Sequence, residues 1–150
     1  VIMGLFLAIF FISGAVSAEE QKNTGIKLQM EFGNKDRTAR DYDIAWTPMV
    51  VAQSGIMASV KIGDENTPGS FKMEITPSTS PDRPVLVVMA VKAWEAREVK
   101  DAEGKYVKKF VLIMDEQAMK VKSGSKSITE IRVGADRDIL ITITPTIQED

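Results

Sequence analysis

With 150 residues, 44% of them hydrophobic and 27% charged, the chain has the size and composition of one globular domain. Its net charge of −2 provides no electrostatic basis for holding nucleic acid or anionic lipid. The absence of His and Cys excludes disulfides, thiolate metal sites, His-bearing zinc centres and the Ser-His and Cys-His nucleophile pairs.

The first segment, VIMGLFLAIFFISGAVSA, has no charged residue, an apolar stretch over residues 5–12, a break at Gly14 and the small residues Ser17 and Ala18 ahead of Glu19-Glu20. This is the pattern of a secretory signal peptide cut after Ala18, so residues 1–18 are predicted to be leader and 19–150 a single exported domain. The apolar stretch is too short for a comfortable membrane span. No Lys or Arg precedes it, and an uncleaved anchor is the alternative. Export without cysteine predicts a periplasmic or secreted protein with no membrane span after cleavage.

Beyond the leader, alternation with a period of two dominates. Ile26, Leu28, Met30 and Phe32 share one face, and Lys27, Gln29 and Glu31 the other, before GNKDRT predicts a turn. Tyr42, Ile44 and Trp46 repeat the pattern, and Pro48 interrupts it, because proline cannot donate to a ladder and favours an edge or a strand start. A short apolar strand over 49–52 and a Ser54-Gly55 turn follow. Two alternating runs, Ala58/Val60/Ile62 and Phe71/Met73/Ile75, then flank an acidic loop that reads as a solvated hairpin connection.

After the turn SPDRP, residues 85–93 are apolar on both faces, which predicts a central strand buried on both sides. Residues 93–109, AWEAREVKDAEGKYVKK, are read as a long solvated hairpin with its tip at Glu103-Gly104-Lys105, a short helix being the alternative. Apolar runs at 110–114, 119–121, 128–133 and 139–143 bring the total to roughly nine or ten strands, the spacing of an all-β antiparallel sandwich. Ser54-Gly55 followed by a strand ending Thr76-Pro77 is echoed by Ser123-Gly124 followed by one ending Thr144-Pro145. Two such modules fall short of a repeat array.

Carboxylates are the only common acid/base pair left, and candidates such as Asp41/Asp43 and Asp136/Asp138 stand in polar, turn-adjacent settings that suit a solvated structural role. No catalytic residue, metal ligand or cofactor is therefore predicted. Asp64, Glu65, Asp136 and Asp138 are candidate ligand or partner contacts through loop oxygens. The loop after Gly63 departs from the helix-loop-helix calcium pattern, since Pro68 stands at a ligand position. Methionines such as Met30, Met73 and Met89 fall in phase with core residues and read as filler rather than a copper site. Trp46 is in phase with the core, and Trp94 is the freer aromatic for stacking on a ligand.

The run over 48–63, PMVVAQSGIMASVKIG, with the strand over 71–77 resembles a β-domain module of the bacterial secretin family, the resemblance covering 48–91. It implies a β fold in the envelope compartment, with Pro48, Gly55, Ala58, Gly63 and Pro77 serving turns and packing. The chain is too short for a secretin's ring-building domains, so the resemblance implies no pore. Together these readings predict a non-enzymatic protein that engages an envelope protein by strand addition at its sheet edges. The alternative is a small-ligand or carbohydrate-binding sandwich, calcium-assisted, and third stands a glycan hydrolase built on two carboxyls.

Overall fold

The computed structural model describes residues 9–13 (backbone), 25–67, 69–133 and 136–148. The expected cut at Ala18, Pro68 and the Gly134 of the echoed turn lie outside them. The described residues form an all-β sandwich of ten strands: β1 (Ile9–Ser13), β2 (Gly25–Asp36), β3 (Asp43–Trp46), β4 (Met49–Gln53), β5 (Met57–Ile62), β6 (Phe71–Ser80), β7 (Arg83–Lys100), β8 (Tyr106–Lys122), β9 (Ser127–Val133) and β10 (Arg137–Ile147). Among them no helix is long and apolar enough to cross a membrane.

One antiparallel sheet runs β1-β5-β6-β7-β8, and the other β3-β2-β10-β9, with β4 continuing the β3 edge along β2. The two alternating patterns meet between them. Ile26, Leu28, Met30 and Phe32 of β2, with Ile139, Ile141 and Ile143 of β10, bury against Val60, Met73, Ile75, Met89 and Val91 of the opposite sheet. Phe32 and Phe71 join the layers directly, their ring centroids 4.4 Å apart at 39°. The methionines Met30, Met73 and Met89 are all buried in this core.

Three local expectations differ from what is found. The turn expected over GNKDRT comes only at its end, at Arg37-Thr38, where Ala39 N–H donates to the Asp36 carbonyl at 2.8 Å, because β10 pairs with β2 as far as Asp36. Gly33 instead makes room for a crossing: a Cβ there would stand 3.1 Å from Tyr42 Cβ and 3.3 Å from Ile44 Cδ1, which lie over it. A register shift in β3 between the Trp46 and Ile44 pairings gives one residue too many on that strand, so Trp46 faces the core while Ile44 is exposed. And β7 is buried on one face only. Val87, Met89, Val91 and Ala93 are buried, but among the described residues no second layer covers Leu86, Val88 and Ala90, which remain half-exposed beside the middle strand β6.

Residues 93–109 form the hairpin, not the helix. β7 and β8 pair from Leu86↔Lys122 out to Lys100↔Tyr106, far longer arms than the separate short strands expected. Two register shifts, each placing an extra residue on β8, let that strand absorb the polar residues Asp115 and Glu116 without breaking the ladder. At the tip, Asp101 Oδ1 accepts from the amides of Glu103 and Lys105, and Gly104 takes φ +80°.

The echo noticed in the sequence has a common geometry. At the corner where the chain passes from β4 to β5, Gly55 N–H donates to the Pro77 carbonyl (2.7 Å), and Thr79 N–H donates to Ser54 Oγ (3.0 Å). At the corner from β8 to β9, Gly124 N–H donates to the Pro145 carbonyl (2.7 Å), and Ile147 N–H donates to Ser123 Oγ (2.9 Å). Each brace ties a sheet-crossing corner to the Thr-Pro strand of the hairpin that follows, and the two crossings run in opposite senses. Ser54→Ala and Ser123→Ala are each expected to lower the unfolding free energy by about 1 kcal/mol, the worth of one partly buried hydrogen bond. Denaturant melts of the two variants check this, and a loss confined to one of them would show the braces to be inequivalent.

Candidate functional site

The two loops that the sequence marks as candidate contacts belong to one end of the sandwich. Between them stands a residue that the sequence reading passed over. Glu95 continues the inward phase of Val87, Met89, Val91 and Ala93 on β7, and its side chain is 6% exposed. Arg137 continues the inward phase of Ile139, Ile141 and Ile143 on β10 and forms an ion pair with Glu95 Oε1 across the sandwich. Arg97 Nε lies 3.6 Å from the same oxygen. Ser70, whose carbonyl accepts from Ala96 N–H at 2.9 Å, ties the loop after Gly63 to β7 at this point.

Glu95 Oε2 has no hydrogen-bond partner among the described residues. A void of about 20 Å³ lined by Phe32, Trp46, Phe71, Glu95 and Arg137 adjoins it, room for one water molecule rather than a substrate. With two guanidiniums on one carboxylate, this arrangement is suited to fastening the two sheets.

Asp64 is engaged within its own loop through Oδ1. Its Oδ1 accepts from Asn66 N–H (2.9 Å) and Thr67 Oγ1 (3.0 Å), and the Thr67 hydroxyl first, then the Asn66 amide, hold its carboxyl below the usual range. Glu65 is exposed in the same turn. Asp136 is exposed and lends its backbone carbonyl to Arg37 N–H at 2.8 Å. Asp138, next to Arg137 on the strand, faces the outside of its sheet, where Arg37 Nε lies 3.5 Å away. Asp138 and Glu95 therefore stand on opposite sides of the layer, and among the described residues no group of three acidic side chains could hold a metal ion. Trp94 is half-buried on the outer face of β7, with Lys72 Nζ 4.8 Å from its ring centre.

The Pro48 carbonyl accepts from Met30 N–H, Gly55 and Gly63 have φ of +81° and +79°, and Ala58 and Pro77 are buried on β5 and β6. What the sequence missed is the Glu95–Arg137 pair. Its signal was a charge on the inward phase of each of two apolar strands.

The outer face of the β2-β10 sheet carries two further features. Tyr42 crosses Gly33, and its hydroxyl donates to Glu130 on β9 at 2.6 Å, while Lys35 Nζ sits 4.9 Å from its ring. Loss of solvent contact, then the hydrogen bond to Glu130 and that carboxylate's charge, push the Tyr42 pKa up to about 12. Since the folded value lies above the unfolded one, the stabilisation is whole below about pH 10 and is lost between about pH 10 and 12. Absorbance titration should show Glu130→Gln bringing this ionisation back toward 10, with Tyr42→Phe identifying the signal. Farther along, a groove of about 420 Å³ runs past Gln29, Glu31, Thr47, Pro48, Met49 and Lys126 beside the β4 edge. It has no aromatic wall, and Met49 and Val51 stand exposed on the adjoining strand.

Neither protein-family models nor curated protein sequences give a match to the chain.

Proposed function

We propose that this is an exported, periplasmic or secreted β-sandwich that binds or supports another protein of the cell envelope and catalyses no reaction. The observation that carries the reading is the β3–β4 edge. There a short, Pro-interrupted strand pair leaves Ile44, Met49 and Val51 exposed at 49%, 52% and 40% beside the Pro48 groove, an apolar margin with backbone available for pairing. The tip of the β7–β8 hairpin, with Tyr106 and Val107 exposed, is the second docking place. The chemistry left to a chain without His or Cys agrees with it, since the one buried carboxylate among the described residues is held by arginines. The likeness of 48–91 to a secretin β-domain module points to the same compartment.

A photo-crosslinking residue placed at Val51 or Val107 in the native cell is expected to capture one envelope protein, and the same probe at Gln117, on the far stretch of β8, is not. Equal labelling at all three positions, or none, would remove the basis for this reading.

A further inference from the structure

β5 and β9 hold equivalent places. Each follows a Ser-Gly corner, each pairs on one side with the Thr-Pro strand of its own hairpin, and each has a second side that faces away from that hairpin. Their sequences are not equivalent. β9 turns Ser127, Thr129 and Ile131 inward, all half-exposed, with only Val133 at its end buried, and carries Ile128, Glu130 and Arg132 outward, two of them charged, as suits a strand with no neighbour on its other side among the described residues. β5 turns Ala58, Val60 and Ile62 inward, 1%, 1% and 6% exposed, and its single charge, Lys61, lies over the Phe110 ring at 5.5 Å. By composition β9 is an edge strand and β5 is an interior one. β5 is covered in this chain by β1, five residues in antiparallel register from Ile9↔Lys61 to Ser13↔Met57. Those five residues, Ile9-Phe10-Phe11-Ile12-Ser13, lie inside the segment that the sequence predicts is cut away on export.

We propose that the β5 edge is a strand-acceptor site, held by β1 until the leader is removed and then filled by an extended, uncharged, apolar segment of a partner protein lying antiparallel to Met57–Ile62. The proposal rests on the exported, partner-binding reading above and adds a specific edge and the chemistry of its occupant. The register of β1 shows that the edge accepts at least five residues. The occupant is uncharged because β5 offers it no charge to match, Lys61 being engaged across the outer face. It is apolar because Ala58, Val60 and Ile62 need a covered flank.

The test uses the protein purified from the exporting cell, with its intact mass recording whether residues 1–18 are gone. A fluorescent peptide carrying IFFIS between lysine tags is titrated in, along with two copies N-methylated on the backbone, one at the second and fourth residues of the motif, the other at the first, third and fifth. In an antiparallel edge pairing only alternate amides face the acceptor. One methylated copy is therefore expected to bind within a few-fold of the parent, and the other at least about tenfold more weakly, having lost its ladder bonds. A photo-reactive parent peptide is expected to label residues 57–61 and not 127–133. Retention of residues 1–18, absence of peptide binding, equal binding of both methylated copies, labelling of β9, or a concentration-dependent dimer that excludes the peptide would each overturn the proposal. Failure of the Val51 and Val107 crosslinks with this edge still taking peptide would remove the docking places proposed above and leave this one standing.

Discussion

Gly63→Ala is expected to lower the unfolding free energy by about 2–4 kcal/mol, a large share of a small domain's stability. Two costs combine. At φ +79° any side chain meets its own carbonyl, and a Cβ at this position would stand 2.0 Å from Ser70 Oγ and 2.8 Å from Ser70 Cβ. Ser70 is 3% exposed and its Oγ accepts the Asp64 amide at 3.1 Å, so moving it aside breaks the bond that closes the loop. Gly69 and Gly104 supply the control, since both have positive φ but nothing within 4 Å of an added Cβ. Alanine there should cost about 1 kcal/mol, the backbone term alone. Adding Ser70→Ala to Gly63→Ala should recover only the part of the steric cost due to Oγ, because the alanine Cβ at residue 70 still stands 2.8 Å from the new one. Equal losses at Gly63 and Gly69 in chemical denaturation would show that the Ser70 contact contributes nothing.

Arg137→Met is expected to cost about 2–4 kcal/mol, at the lower side of what breaking a buried ion pair entails. The Glu95 carboxylate would remain buried with one oxygen unpartnered and with Arg97 Nε alone, at 3.6 Å. The discount reflects that guanidinium and the 33% exposure of the Arg137 side chain, which lets water screen the pair. The double variant Glu95→Leu/Arg137→Met removes both charges and should return most of the loss, because an apolar pair of similar size carries no desolvation penalty. A double variant less stable than Arg137→Met would mean that the pair contributes more than mutual neutralisation.

Much of the sandwich could be read from alternation, because a period of two on an apolar face fixes which side of a strand is buried. Ile26 to Phe32, Ala58 to Ile62, Phe71 to Ile75 and Ile139 to Ile143 all face the core as their phase predicts. The reading failed where a single residue changes the phase. The shift in β3 sends Ile44 out and Trp46 in, and the two shifts in β8 join what looked like separate strands, since a bulge is decided by the partner strand and leaves no mark in local composition. Residues 93–109 had helix-forming content, but pairing across β7 and β8 outweighs propensity. At the candidate site, the acidic loops drew attention because they are charged, whereas Glu95 and Arg137 are informative because of their phase. Each sits where its strand otherwise places Val, Met or Ile.

The pairing of β2 with β10 joins Ile26 to Ile147, far apart in the sequence, whereas each corner brace spans only about 25 residues. Order of assembly follows from these separations, since short loops close at lower entropic cost than long ones. The β5–β6 and β9–β10 hairpins can fasten to their own corners early, but β2 must wait for the most distant strand to be synthesised. Until it arrives, one whole side of a twelve-residue strand with an apolar face stands unpaired. A nascent chain is thus most exposed to misassociation along β2, and a chaperone that shelters it would be expected to hold it there.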